Sequence, residues 1–228
     1  MKSKLTSCLM EFYKDKLISD KIRIFEISGV ILTAVGKFVF MDYLNWRLLF
    51  VVFAIISWGV YIFYRYKKER GVLKYWGFRT DNFKKVFKLM LPFALVSIIT
   101  FLIIGYFNNS INLTWHVIPL LITYPIWGVV QQYLTISLIA GNLKDLKSKK
   151  LNNILIILIT AVLFSIVHYP SIWLMIGTFI LALFYGYVFL KQRNVYVMGV
   201  FHGWLGALFY YTVVDRDPFQ EVFLNIFS

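Results

Sequence analysis

The sequence predicts an all-α, polytopic transmembrane bundle of about seven spans, with the N-terminus cytoplasmic and the C-terminus outside. Three observations predict it. The 228 residues are 60% hydrophobic and 15% charged, whereas soluble domains run at roughly 45–50% apolar and about 25% charged. Apolar runs of about 20 residues, the length that crosses a bilayer as helix, recur along the chain. Lysine and arginine collect in alternate connections between those runs.

The predicted spans are 24–41, 46–64, 89–107, 116–140, 151–168, 171–190 and 195–214. The first is the least apolar, since it carries Glu26 and Lys37. Glu26 reads as an interfacial acid paired with Arg23 or Lys37. Pro119 and Pro125 are expected to kink the fourth span, and Asn152–Asn153 to cap the fifth. Gly199, Gly203 and Gly206 place small residues on the seventh at the spacing of a close helix contact.

Net charge is +13, and position explains it better than a nucleic-acid partner does, so none is expected. Residues 1–23 hold six positives, the 65–88 connection nine, 141–150 four and 191–194 two. The alternate connections hold only Arg47 and Arg216. By the positive-inside rule the basic side faces the cytoplasm. The stretch Tyr66–Met90 mixes basic residues with Trp76, Phe78, Phe83 and Phe87, and reads as an interfacial segment on anionic headgroups. One integral membrane domain is expected. It comprises 1–110 (N-terminal spans and basic connection), 111–214 (a core carrying the polar motifs) and a tail, 215–228.

The single Cys8 excludes an intrachain disulfide and a cysteine-based zinc site. "LTSC" at Leu5–Cys8 resembles a lipidation box, but no apolar run precedes it, so neither lipidation nor a cleaved leader is expected.

Polar side chains inside hydrocarbon are costly without partners and mark functional candidates. His116 opens the fourth span beside Trp115 and reads as interfacial. The remaining candidates are Gln131 and Gln132 in "PIWGVVQQYLTISLI", His168 closing "VLFSIVHYP", and His202 inside "VMGVFHGWLGALF". One polar focus would satisfy all four. None of the eleven acids lies in spans three to seven, so a carboxylate base from those helices is excluded. At 1.5 Å per residue, Gln131 stands ~20 Å above Lys144, His168 ~27 Å above Lys150 and His202 ~13 Å above Arg193. His168 is therefore expected to be the most peripheral of the group.

These motifs resemble the CAAX-protease and bacteriocin-processing family of intramembrane endopeptidases, the abortive-infection type. That family carries Glu-Glu-x-x-x-Arg, Phe-x-x-x-His and His-x-x-x-Asn/Asp on consecutive late helices. Here "QQYLTI" (Gln131–Ile136) stands at the first motif, "FSIVH" (Phe164–His168) matches the second, and "HGWLG" (His202–Gly206) gives the third with Gly206 in place of Asn/Asp. The "GYVFLKQRN" end of span six (Gly186–Asn194) is also family-like. The resemblance covers roughly 110–214.

It implies a site of Gln131, Gln132, His168 and His202 acting on membrane-embedded or prenylated peptides. A bacterial inner membrane is expected from the small size and the absence of organellar signals. In the family the first Glu activates water; Gln131 at that position has no usable basicity. Ile136 stands where the family has Arg, which fits the loss of both acids, since a buried arginine would be unpaired. Three readings follow: an endopeptidase with a histidine base, an inactive binder of membrane segments or prenylated tails, and a lipid or small-molecule handler. Zinc is not favoured, because His168 and His202 are the only plausible ligands and a catalytic zinc site takes three.

Overall fold

The computed structural model describes residues 18–221, so Cys8 and the Leu5–Cys8 box lie outside them. Among the described residues every regular element is helical. Helix α1 (Asp20–Gly36) runs on as a π-helix through Lys37–Tyr43. Then come α2 (Arg47–Lys68), the short α3 (Val72–Trp76) and α4 (Phe83–Asn108). Helix α5 (Val117–Gln132) passes into a π-helix at Tyr133–Gly141 and then into α6 (Asn142–Asp145). Helices α7 (Asn153–Ile166) and α8 (Ile172–Lys191) follow. Helix α9 (Val195–Phe209) ends in a π-turn at Tyr210–Val214.

Local chemistry sets these boundaries. The side chains of Ser19, Asn152 and Asn194 accept from the backbone N–H of Ile22, Ile154 and Val197, capping α1, α7 and α9. Gly71 and Gly77 bracket α3 at φ of 91° and 97°, a region costly for residues with a Cβ. Pro125 lies inside α5, whereas Pro119 sits in its first turn, where proline costs no hydrogen bond.

Six helical stretches are long and apolar enough to cross a membrane: Asp20–Tyr43, Arg47–Lys68, Phe83–Asn108, Val117–Asp145, Ile172–Lys191 and Val195–Val214. The predicted fifth span is shorter than expected. Its helix has 14 residues, or ~21 Å, against a hydrocarbon core of ~30 Å. It starts only at Asn153, and it ends before the Val167–Pro170 turns, as a following proline requires.

Helix α9 is the most enclosed span, and α2 lies almost wholly on the outside. The α5–α9 pairing is the most extensive. Its closeness depends on glycine: a Cβ at Gly203 would lie 2.3 Å from the Pro125 nitrogen, and one at Gly199 2.3 Å from Val129 Cγ2. Gly206 departs from the expected packing role, since a Cβ there meets nothing within 4 Å.

The N-terminal helices are held to the rest by buried charge. Glu26 is not interfacial but fully buried. It accepts from Arg65 Nη1 and Tyr61 Oη of α2, both at 2.7 Å, and from Asn142 Nδ2 of α6 at 2.7 Å. Neither predicted partner is used: Arg23 bonds Asp20 at 2.9 Å, and Lys37 bonds Asp42 at 2.6 Å. A second cluster joins α3, α6 and the α8–α9 connection, where Tyr75 Oη and Arg193 Nη2 both donate to Asp145, at 2.8 and 2.6 Å. The backbone N–H groups of Lys147 and Ser148 reach Asp20 at 3.0 and 2.7 Å. These contacts bring the start of α1 and the basic connections to one end of the bundle. Trp76, expected at the interface, is buried there, 5.3 Å edge-on from Tyr133 and under the Arg65 guanidinium.

Candidate functional site

A cavity of about 170 Å³ lies among α4, α5, α8, α9 and the turn after α7. Gln131, His168 and His202 all line it. Gln131 is on the last turn of α5, just before the backbone widens into the π-helix; such bulges recur at functional sites. His202 sits mid-way along α9, beside Gly199 and Gly203, which pack against α5.

His202 Nε2 lies 2.7 Å from Gln131 Oε1. An amide oxygen only accepts, so Nε2–H donates. In the neutral ring this leaves Nδ1 as an acceptor, and Nδ1 is buried with no partner among the described residues. The Gln131 amide nitrogen keeps its two N–H donors for whatever occupies the cavity.

His168 is oriented differently. Its Nδ1–H donates to the Phe164 carbonyl at 2.8 Å, one helical turn back. Its bare nitrogen is therefore Nε2. The Phe164 ring packs against both imidazoles, with centroids 5.1 Å from His168 and 5.5 Å from His202. The expectation that His168 is peripheral fails because Lys150–Asn152 are not helical. Counted from Asn153, its height is ~22 Å, close to that of Gln131.

The structure does not bring Gln132 into this group. It is fully buried, both its side-chain polar atoms lack a partner among the described residues, and it is not among the cavity-lining residues. One residue is a 100° turn of the helix, which carries Gln132 off the face that Gln131 presents. Ile136 is fully buried in the apolar core. His116 is outside the site too: its Nδ1–H donates to Asp217 Oδ2 at 2.6 Å, clasping the segment after α9 to the start of α5.

The rest of the lining is apolar or weakly polar, including Tyr124, Trp127, Thr178 and Gly206, and it contains no Asp, Glu, Lys or Arg. The sequence reading missed Tyr124, Trp127 and Thr178, and took Gly206 for a packing residue. Helical periodicity would have found several, since Tyr124 and Trp127 share the face of Gln131, and Leu205, Gly206 and Phe209 that of His202. No group of three or more His, Cys, Asp or Glu that could hold a metal occurs among the described residues. Two imidazoles without a third ligand do not fit a catalytic zinc site, so no step is routed through a metal.

Fold and site together define an integral membrane protein with a cavity between its helices, in which Gln131, His168 and His202 sit among mostly apolar side chains. Residues 114–208 match the family model described as type II CAAX prenyl endopeptidase Rce1-like. Over this stretch the chain is similar to the CAAX endopeptidases, in agreement with the resemblance carried by the motifs. No match was found among curated proteins or among solved structures.

Proposed function

We propose that the protein is an intramembrane endopeptidase of Rce1-like type working without carboxylates, on membrane-embedded or prenylated peptides. One observation carries this reading: His168 holds its Nδ1–H on the Phe164 carbonyl and so offers a bare Nε2 to the cavity that Gln131 and His202 also line. A backbone carbonyl fixing one ring nitrogen while the other faces substrate is how histidine is set as a general base.

In this reading His168 Nε2 removes a proton from water, and the water oxygen bonds the scissile carbonyl carbon. The oxygen that gains charge receives N–H donation from the Gln131 amide. His168 then returns the proton to the departing amine as the C–N bond breaks. His202 is a positioning residue, since its Nε2–H fixes the Gln131 amide with its N–H groups forward. The basic end of the bundle faces the cytoplasm of a bacterial plasma membrane.

Binding without cleavage is the second reading. It is favoured by the amide at position 131 and by the exclusion of Gln132 from the cavity lining. The test is proteolysis by purified protein in liposomes on transmembrane and prenylated peptides. Wild type is compared with His168→Ala, His202→Ala and the triple change Gln131→Glu/Gln132→Glu/Ile136→Arg. Cleavage by wild type that disappears in His168→Ala supports hydrolysis. A silent wild type beside an active triple variant supports binding.

A further inference from the structure

We propose that the cavity is loaded from the end of the bundle opposite its basic connections, and that its ligand is a polypeptide segment on the outer face of the membrane, not a prenylated tail presented from the cytoplasm. The inference deepens the proposed function. It rests on that reading for a polypeptide ligand, and on the charge asymmetry for which face is outer.

The cavity wall runs from mid-depth away from the basic end. From Gln131 it continues to Tyr124, ~10 Å toward the start of α5, and from His202 to Tyr210, ~12 Å toward the end of α9. On α8 it occupies the half opposite Lys191, and on α4 it is Phe101, ~10 Å from the Asn108 end. These helix ends are tied together. Ser110 Oγ donates to the Thr212 carbonyl at 2.7 Å, and the Asn112 N–H to the Tyr211 carbonyl at 2.8 Å.

Toward the basic end the packing of the described residues is closed. Below Gln131 and His202, Tyr133, Ile136, Ile139, Val197 and Met198 are at most 2% exposed. Helix α3 lies across them: Ser137 Oγ donates to the Trp76 carbonyl at 2.6 Å, and the Trp76 ring is 5.3 Å from Tyr133. Tyr75, Asp145 and Arg193 form the layer behind.

The far end is open. Tyr124 and Tyr210 stand there with ring centroids 6.5 Å apart, both partly exposed. The charges of Arg216, Glu221 and Arg47 act on Tyr210. Lys37, paired with Asp42, donates to the Tyr169 carbonyl beside His168 at 3.2 Å. Charged side chains near the ends of spans sit at the water interface, so this rim meets water. The positive connections 65–88, 141–150 and 191–194 belong to the closed end, which the positive-inside rule assigns to the cytoplasm. A segment that reaches Gln131 and His168 therefore comes from the outer side.

The experiment uses the full chain with Cys8→Ser, in bacterial spheroplasts and in inverted vesicles. Single cysteines are read with the impermeant cationic thiol reagent MTSET. Asn109→Cys marks the open end and Lys144→Cys the basic end, while Thr178→Cys and Leu174→Cys report the cavity wall. In spheroplasts Asn109→Cys and the cavity cysteines are expected to react, and Lys144→Cys only after lysis. In inverted vesicles the cavity cysteines are expected to react at least ~10-fold more slowly, since a cation must cross hydrocarbon. N-acetyl-Leu-Leu-Leu-amide, carried on a polyethylene glycol chain too large to cross the bilayer, serves as the ligand probe. Added to spheroplasts at about ten times its Kd, it is expected to slow the cavity reaction roughly 10-fold by mass action, and added to inverted vesicles not at all. Gel-filtration profiles establish that each variant is folded, and Leu174→Cys keeps the test valid if Thr178→Cys is not tolerated. Reaction of Lys144→Cys in intact spheroplasts, faster cavity reaction in inverted vesicles, no cavity reaction from either face, or protection only from the basic face overturns the inference. Outer-face reaction and protection without cleavage leave the inference standing and remove the hydrolytic reading. Cleavage confined to peptide supplied at the basic face overturns the inference and leaves the hydrolytic reading standing.

Discussion

His202 Nε2 and Gln131 Oε1, on α9 and α5, are 2.7 Å apart in a region where the next residue, Gln132, has no polar contact among the described residues. Adjacent glutamines thus differ in kind. Gln131→Leu strands a buried N–H of His202, and a cost of ~1–3 kcal/mol is expected. Gln132→Leu removes an amide that already lacks partners and is expected to be neutral or stabilising. Unfolding in mixed detergent–denaturant micelles, followed by tryptophan fluorescence, checks both. Equal losses at the two positions would refute the assignment of the hydrogen bond to Gln131 alone.

Glycines four and seven residues apart on α9 separate packing from cavity function in the same way. At Gly199 and Gly203 an added methyl group meets atoms at 2.3 Å, among them backbone. Gly203→Ala is expected to cost ~1–3 kcal/mol by overpacking, and to impair the site by moving Gln131 away from His202. Gly206→Ala meets nothing and is expected to hold stability or raise it by up to ~1 kcal/mol through helix propensity. Thermal melts of the two variants side by side decide this.

Much of the architecture was legible because hydrophobic length and charge asymmetry are local signals. The six long spans follow from apolar runs, and the Gln131–His168–His202 group from the cost of polar groups in hydrocarbon. What escaped was set by contacts distant in sequence or by backbone irregularity. Glu26 finds Arg65 and Asn142, 39 and 116 residues away, and spacing along α1 carries no trace of either. The depth of His168 depends on where α7 begins, and three non-helical residues moved it. Gln132 could have been set apart from Gln131, since neighbours on a helix do not share a face. Gly206 looked like its packed neighbours because a glycine pattern records small size and not what fills the space beside it.

The segment after α9 is expected to carry a pH dependence, set by Asp217. Burial alone would raise the Asp217 carboxyl. Hydrogen bonds from His116, Tyr211 and the backbone N–H of Gln220 outweigh it and lower the group from 3.8 to about 2. A carboxyl lowered in the folded state stabilises fully above its unfolded value, and that contribution is lost as pH falls through the folded value. The clasp between His116 and Asp217 is therefore expected to hold at pH 4 and above and to loosen between about 4 and 2. Hydrogen exchange at Gln220, corrected for intrinsic rate, should report the loss of protection. Asp217→Asn should remove that pH step, and persistence of the step in the variant would place its origin elsewhere.

The buried pair of Glu26 and Arg65 makes the strongest demand on the N-terminal helices. Both are almost wholly enclosed, at 0% and 2% exposure, and the carboxylate also receives Tyr61 and Asn142. Removing one charge leaves the other buried and uncompensated, so Arg65→Met is expected to cost ~3–5 kcal/mol. Removing both relieves Glu26 but still takes from Glu69 the Arg65 Nη2 that it holds at 2.6 Å. Glu26→Gln/Arg65→Met is therefore expected to recover part of that loss, because a well-packed neutral replacement of a buried ion pair is often tolerated. A double-mutant cycle on unfolding free energy measures the coupling. If the double variant falls by the sum of the single losses, the ion pair does not couple α1 to α2. If it recovers, Glu26 is an anchor that fixes α1 against α2 and α6, the helix that continues from the backbone carrying Gln131.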